Sequence, residues 1–300
     1  MKDWVDKLRD TLRDSAVRPQ APLRPLTTLR IGGPAECLVE LGSEADLLAL
    51  FDLIESAALP FLVLGKGSNV LVPDEGVKGV VIRLGKAFQR IGRQENLISA
   101  GAGCANGGFV EQSRKWGLGG MEFLIAVPGT IGGAIAMNAG AHDGETAQFL
   151  QAVRVFRAGE GIKTQDAGGI LFAYRTSPLR GQEGVLVLGG EFRLKNMDGQ
   201  DIKHRIRTFQ SYRRETQPRD FPNCGSIFKN PPGDFAARLI EEAGLKGEIL
   251  GGAQVSEVHA NFIVNRGGAS SAEVLALVDL ARKRVYSLNQ VELELELQVL

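Results

Sequence analysis

The chain has 300 residues, 44 % of them hydrophobic and 23 % charged, and its 35 basic and 35 acidic residues leave no net charge. That length predicts two or three domains with a sizeable core, and the balanced charge gives no basic footprint for nucleic acid. Glycine is the outlier: 38 residues exceed the usual ~7 %, and they gather at the ends of apolar runs, where they permit positive φ and close backbone approach. Cys37, Cys104 and Cys224 are far apart with no CxxC pair, which argues against a zinc site or disulfide framework and for reduced thiols. The N-terminal "MKDWVDKLRDTLRD" lacks the apolar centre of a signal peptide, and no run reaches ~18 apolar residues. A cytoplasmic protein is expected.

Residues 3–14 read as a short helix, and "VRPQAPLRP" as a proline-broken linker. "TTLRIGGPAECLVEL" reads as strand, Gly-Gly turn and strand. Ser43 and Asp46 form a capping-box-like start for a helix with Leu47, Leu50, Phe51 and Ile54 on one face. "PFLVLG" predicts a buried strand, Gly65-Lys66-Gly67-Ser68-Asn69 a tight loop, and "VLV" and "GVVIRLG" further strands. A glycine-rich turn that leads into a strand is not a Rossmann fingerprint, which needs a helix there. No GxxxxGK[ST] occurs either. If the loop holds phosphate, it does so with consecutive backbone amides.

The pattern restarts after Gly85 with a strand at "LISAGAG" and a helix over "ANGGFVEQSRKWG". "AVRVFRAG" and "GVLVLGGEFRLK" predict antiparallel strands. A third segment opens near Asp198, with a helix from Asp234 to Gly244, strands around "ANFIVN", and a helix after Ser270 with Glu273 as its capping partner. The terminal "VELELELQVL" alternates, with Val291, Leu293, Leu295, Leu297 and Val299 on one face and Glu292, Glu294, Glu296 and Gln298 on the other. The expected fold class is α+β with three lobes.

The densest stretch is "PGTIGGAIAMNAGAHDGE", residues 128–145. Pro128 fixes φ, Gly129, Gly132 and Gly133 allow tight turns, and Thr130 can cap the next helical turn. Its small side chains would let a flat group lie against the backbone, and amides at Gly132 and Gly133 would suit a diphosphate. The alternative is a glycine-rich core turn. "NCGSIFKNP" likewise reads as a turn before an edge strand, or as a hydroxyl, Ser226, placed beside a backbone hinge with a cation and an amide close behind.

"LGKGSNVLV", "PGTIGGAIAMNAGAHDGE", "AYRTS" and "CGSIFKNP", followed by a glutamate near the terminus, resemble the MurB family in that order. The resemblance runs from about Leu26 to the end. It implies a flavoenzyme of peptidoglycan precursor synthesis, UDP-N-acetylenolpyruvoylglucosamine reductase, with two FAD-binding lobes of the vanillyl-alcohol-oxidase/PCMH type and a third lobe over the substrate. The lobes expected are an N-terminal helix and linker (1–20), FAD lobes over 21–85 and 86–197, and a substrate lobe over 198–300. NADPH, the co-substrate, would reduce FAD, and hydride would then pass to the enolpyruvyl group to give UDP-N-acetylmuramate. Partners would be small molecules only, with a monomer favoured.

Carried over by motif, Gly65, Lys66, Gly67, Ser68 and Asn69 and Pro128, Gly129, Thr130, Gly132 and Gly133 hold the FAD diphosphate, with Asn138 added to the cofactor set. Tyr174, Arg175, Lys229, Asn230 and His259 face the substrate. Arg175 stabilises the enolate that hydride addition leaves, as a fixed cation would. Ser226 gives the α-carbon its proton. Glu296 supports the enolate if burial keeps it protonated, with Glu294 the fallback in register. Each has a plain alternative: a strand-end arginine, a turn serine, solvent-face glutamates. Glu296 lies 70 residues beyond Ser226, which leaves no room for the tyrosine-bearing loop of the family's longer class. Thr216 departs from the family, where lysine often stands; Arg213, Arg214 or Arg219 are candidates to compensate. Two other readings compete: a flavin oxidase, whose covalent anchor would fall to His142, and a non-catalytic nucleotide-sugar binder, against which Arg175, Ser226 and Glu296 argue. No metal is expected.

Overall fold

The computed structural model describes residues 3–182 and 184–300. The chain divides into two compact units that alternate along the sequence: residues up to Pro19, Cys37–Gly65 and Gly79–Tyr212 in the first, and Gln20–Glu36, Lys66–Lys78 and Arg213–Leu300 in the second.

Among the described residues, the first unit holds two larger sheets, of four and five strands, and two hydrophobic cores. Helices α1 (Asp3–Thr11) and α2 (Glu44–Ser56) cover a four-stranded sheet whose spatial order is Ala16–Pro22, Pro34–Leu41, Val77–Leu84, Phe61–Val63. Leu8, Val39, Leu47, Leu50, Phe51 and Ile82 are buried in its core. Ser43 caps α2 by accepting from the Asp46 amide at 3.2 Å. The segment with Pro19 and Pro22 is therefore not a linker but an edge strand, where a residue with no N–H is tolerated. Nor does a strand precede Gly32-Gly33: residues 27–33 run without regular structure, with Leu29 and Ile31 buried.

The second sheet is antiparallel, in the order Gly161–Asp166, Leu150–Arg157, Val185–Arg193, Leu97–Gly101, Ile91–Gln94. Against it lie α3 (Asn106–Lys115), the six-residue α4 (Ile131–Ala136), and the first part of α5 (Gly199–Thr216). Helix α5 has no counterpart in the sequence reading. Of its 18 residues only Ile202 and Ile206 are buried, so its apolar stripe is too narrow to give a helical period.

The second unit packs α6 (Ala236–Glu242) and α7 (Ser271–Asn289) on a three-stranded sheet of Ile249–Leu250, Ala253–Val255 and Ile263–Asn265. Helix α7 begins with a full capping box, Ser270 and Glu273 each bonding the other's backbone amide. Asp74 binds the Ser271 amide and hydroxyl, and Asn265 donates to the Leu29 carbonyl at 3.0 Å. The terminal alternation holds through Leu297 and then fails: Leu293 and Leu297 are buried, but Val299 is exposed. Only Gln298–Val299 is a strand, parallel to Val70–Leu71.

Candidate active site

The 65–69 loop leads into Val70–Leu71 as expected, with residues 66–69 in the second unit. Gly67 has φ +63°, and an added Cβ would lie 2.4 Å from the Leu26 carbonyl oxygen. Both facts require glycine. The Gly67 carbonyl accepts from the Thr28 amide at 2.9 Å. Among the described residues, the amides of Lys66, Gly67 and Asn69 donate to no protein acceptor. The Asn69 side chain instead donates to the Glu296 carbonyl at 3.0 Å, which ties this loop to the chain terminus.

In the first unit, Gly65 lies on Thr130: a Cβ there would stand 2.9 Å from the hydroxyl oxygen. Thr130 caps α4 by accepting from the Gly133 amide at 3.3 Å. The Ile131 and Gly132 amides donate to the carbonyls of Cys104 and Ala102, both at 2.9 Å. The amides expected to be exposed at Gly132 and Gly133 are thus spent inside the protein, because the bridge between Ala105 and Thr130 draws this turn onto the preceding segment. Those of Gly65, Gly129 and Thr130 remain without a protein acceptor among the described residues. Unpaired backbone donors in glycine loops fit a diphosphate.

Asn138 is buried, with φ +44°. Its Nδ2 donates to Glu145 and to the Ala173 carbonyl, and its Oδ1 accepts from the Ala147 amide. Three hydrogen bonds leave its amide little capacity for a ligand. Tyr174 and Arg175 form the tip of a two-residue hairpin closed by paired bonds between Ala173 and Thr176. Arg175 has φ +57°, and its guanidinium carbon stands 4.8 Å from the centroid of the exposed Tyr174 ring. A Cβ on Gly140 would come within 3.1 Å of Arg175 Nη1, so the guanidinium also lies over that glycine. His142 stacks on Phe209 at 4.3 Å.

Around Ser226 the second unit is closely organised. Gly225 has φ +80°, while an added Cβ would meet nothing nearer than the Ser68 carbonyl at 4.0 Å, so conformation rather than crowding selects glycine. Asn261 grips the next residues: its carbonyl accepts from the Ile227 amide, and its side chain bonds both the N–H and C=O of Phe228. The terminal segment runs alongside, with the Lys229 amide donating to the Glu294 carbonyl and the Glu296 amide to the Ile227 carbonyl, both at 2.9 Å. This register sets the two glutamates in different surroundings. Glu294 pairs with Lys229 and stays exposed. Glu296 is half-buried beside the residue that follows Ser226. The Ser226 hydroxyl bonds no acceptor among the described residues.

Asn230 is exposed, and its side chain accepts from the Ala236 amide at 3.1 Å, next to the start of α6. His259 Nδ1 accepts from the Asn261 amide at 3.3 Å, and burial lowers the imidazole's pKa. Burial pushes the Cys224 thiol up to about 12, so it stays protonated. Beyond Thr216, half-buried Arg213 bonds Gln217, and burial together with the charge of Arg219 lowers its pKa. Asn261 escaped the sequence reading; it is a buried polar residue in the turn just before the strand Ile263–Asn265, and its place at the head of the apolar run 262–264 was its signal.

Glycine loops with unpaired backbone donors, in an α+β frame with an antiparallel sheet, fit the class of proteins that bind an anionic cofactor. A family profile described as "FAD binding domain" matches residues 35–164, and one described as "UDP-N-acetylenolpyruvoylglucosamine reductase, C-terminal domain" matches 217–300. The protein of that reductase name from Symbiobacterium thermophilum (its second) is 43 % identical over 300 residues, covering 100 % of this chain and 97 % of the relative. That of Geobacter metallireducens is 42 % identical over 293 residues, 98 % and 96 % of the two chains. The crystal structure of the reductase (MurB) from Thermus caldophilus superposes with a TM-score of 0.82 at 38 % identity, over 95 % of this chain and 99 % of that one. The chain belongs to the UDP-N-acetylenolpyruvoylglucosamine reductase (MurB) family. It is an oxidoreductase, and FAD is its cofactor.

Proposed function

We propose that this chain reduces the enolpyruvyl group of UDP-N-acetylglucosamine enolpyruvate to UDP-N-acetylmuramate at the expense of NADPH, in peptidoglycan precursor synthesis. Support comes from full-length likeness to proteins of that name. The observation that carries the chemistry is Ser226: a half-exposed hydroxyl with no internal acceptor among the described residues, on backbone held by Asn261 and by the 294–297 segment. FAD, when bound, supplies hydride to the β-carbon of the enolpyruvyl group.

The resulting enolate carries its charge in the carboxylate. Arg175 holds that carboxylate as a fixed cation, a role assigned on its chemistry and its motif. Ser226 Oγ–H gives its proton to the α-carbon, and solvent restores the serine. Glu296, in its protonated carboxylic-acid form, donates a hydrogen bond to the enolate. Unpaired amides of the 65–69 loop, with Gly129 and Thr130, hold the diphosphate of FAD. Tyr174, Lys229 and His259 line the substrate, and Arg213 supplies the cation that Thr216 does not. Two FAD-binding lobes over 21–85 and 86–197 and a substrate lobe over 198–300, cytoplasmic placement, and a monomer without nucleic-acid or membrane partners complete the reading. No helix among the described residues is long and apolar enough to cross a membrane.

Separating the half-reactions tests it. Bleaching of the flavin by NADPH in Ser226→Ala should proceed at nearly the wild-type rate. Return of its yellow absorbance when reduced enzyme meets substrate should slow ~10²–10⁴-fold, the usual cost of removing a positioned general acid. Reoxidation at the wild-type rate would make Ser226 a turn residue.

A further inference from the structure

Arg175 stands at the tip of a hairpin in left-handed backbone geometry, which L-residues other than Asn and Asp rarely adopt. Something must hold it there. Its guanidinium lies against the Tyr174 ring and over Gly140, but neither contact fixes the hairpin's base. That base is fixed by two side-chain bonds from within the same unit. Asn138 donates to the Ala173 carbonyl at 3.1 Å, the same oxygen that receives the Thr176 amide to close the turn. On the other side, the Ser177 hydroxyl donates to the Ala136 carbonyl at 2.8 Å. Both side chains are buried, at 1 % and 4 % exposure.

Ala136 is the last residue of α4, and Asn138 follows two residues later, after Met137. Thr130, across the helix at its N-cap, belongs to the loop with unpaired amides. The two bonds therefore span from the C-terminal end of the cofactor-loop helix to the two residues flanking the turn that carries Arg175. Both donors are buried, whereas Ala136 is half-buried and Ala173 exposed, so each bond serves to place the hairpin rather than to shield a carbonyl from water.

We propose that Ser177, together with Asn138, is a positioning residue for the reaction, anchoring the Arg175 hairpin to the end of α4 so that the guanidinium is held at a fixed place relative to the cofactor loop. This rests on the reading of Arg175 as the group that holds the substrate carboxylate. Ser177 touches neither cofactor nor substrate in this account; it acts through Arg175.

A double-mutant cycle in the holoenzyme tests it, read by single-turnover reoxidation of NADPH-reduced enzyme over a range of substrate concentrations. Ser177→Ala should keep its full flavin content and slow the limiting rate roughly three- to tenfold, the range one positioned hydrogen bond controls. Substrate affinity should fall by less. Ser177→Cys, with a weaker donor of similar size, should lie between. In an Arg175→Ala background, Ser177→Ala should slow the reaction no further, since residues in one chain of action are not additive. If its full effect persists in that background, or if Ser177→Ala reoxidises at the wild-type rate, the positioning role is wrong while that of Arg175 stands. If Arg175→Ala itself reoxidises normally, the reading of Arg175 has failed, and this inference with it.

Discussion

Single residues carry the chemistry here, and their neighbours decide which ones. Three glutamates alternate near the terminus, and in sequence they are equivalent. Backbone register separates them: Glu294 lies opposite Lys229 and pairs with its ammonium, while Glu296 is set beside Ile227. Glu296→Gln should therefore keep a full complement of FAD and lose turnover by ~10²–10⁴, whereas Glu294→Gln should alter turnover little. Steady-state rates paired with flavin absorbance check both, and a large effect at Glu294 would move the role two residues. Asn138 shows the converse. Its motif placed it in the cofactor set, yet its side chain is consumed by Glu145, Ala147 and Ala173. A residue within such a motif can have its side chain committed to its own neighbours.

At the scale of elements, most helices were legible because their start signals are local. Ser43 and Ser270 cap where the sequence places them, and Thr130 caps the short helix after Pro128. Helix α5 and the edge strand Ala16–Pro22 were not legible. One has almost no apolar face, and the other carries prolines that only an edge accepts. That strand follows α1 through a link anchored from afar: the buried Asp46 carboxylate accepts from the Arg13 and Asp14 amides and the Ser15 hydroxyl. Burial alone would raise its pKa, but the bonds from Ser15, Asp14 and Arg13 outweigh it and hold the group below its usual value. A depressed carboxylate stabilises the fold above its unfolded pKa of ~3.9, and that contribution is lost as pH falls through the folded value. Asp46→Asn should cost about 1–3 kcal/mol at pH 7, and the gap from wild type should shrink in acid below about pH 4. Denaturant midpoints at neutral and acid pH would show it; a gap independent of pH would contradict the assignment.

For the whole molecule, the proposal that backbone amides hold FAD predicts binding without a covalent bond. His142, the one residue that could have anchored a flavin by sequence, instead packs its ring on Phe209 and edge-on to Tyr212. Acid precipitation should release all flavin to the supernatant, and colour left in the pellet would reject this. The sequence by itself determined the glycine loops, the order of motifs, the helix caps and the apolar faces, since each depends on residues within a few positions of one another. It also set the family, because those motifs keep their order along the chain. Only the tertiary structure decided which amides stay unpaired, which glutamate lies beside Ser226, and which buried side chains hold Arg175. Each of those depends on carbonyls and amides brought together from distant parts of the chain, as Asn69 is with Glu296 across 227 positions, and no local pattern records which backbone group a distant segment will satisfy.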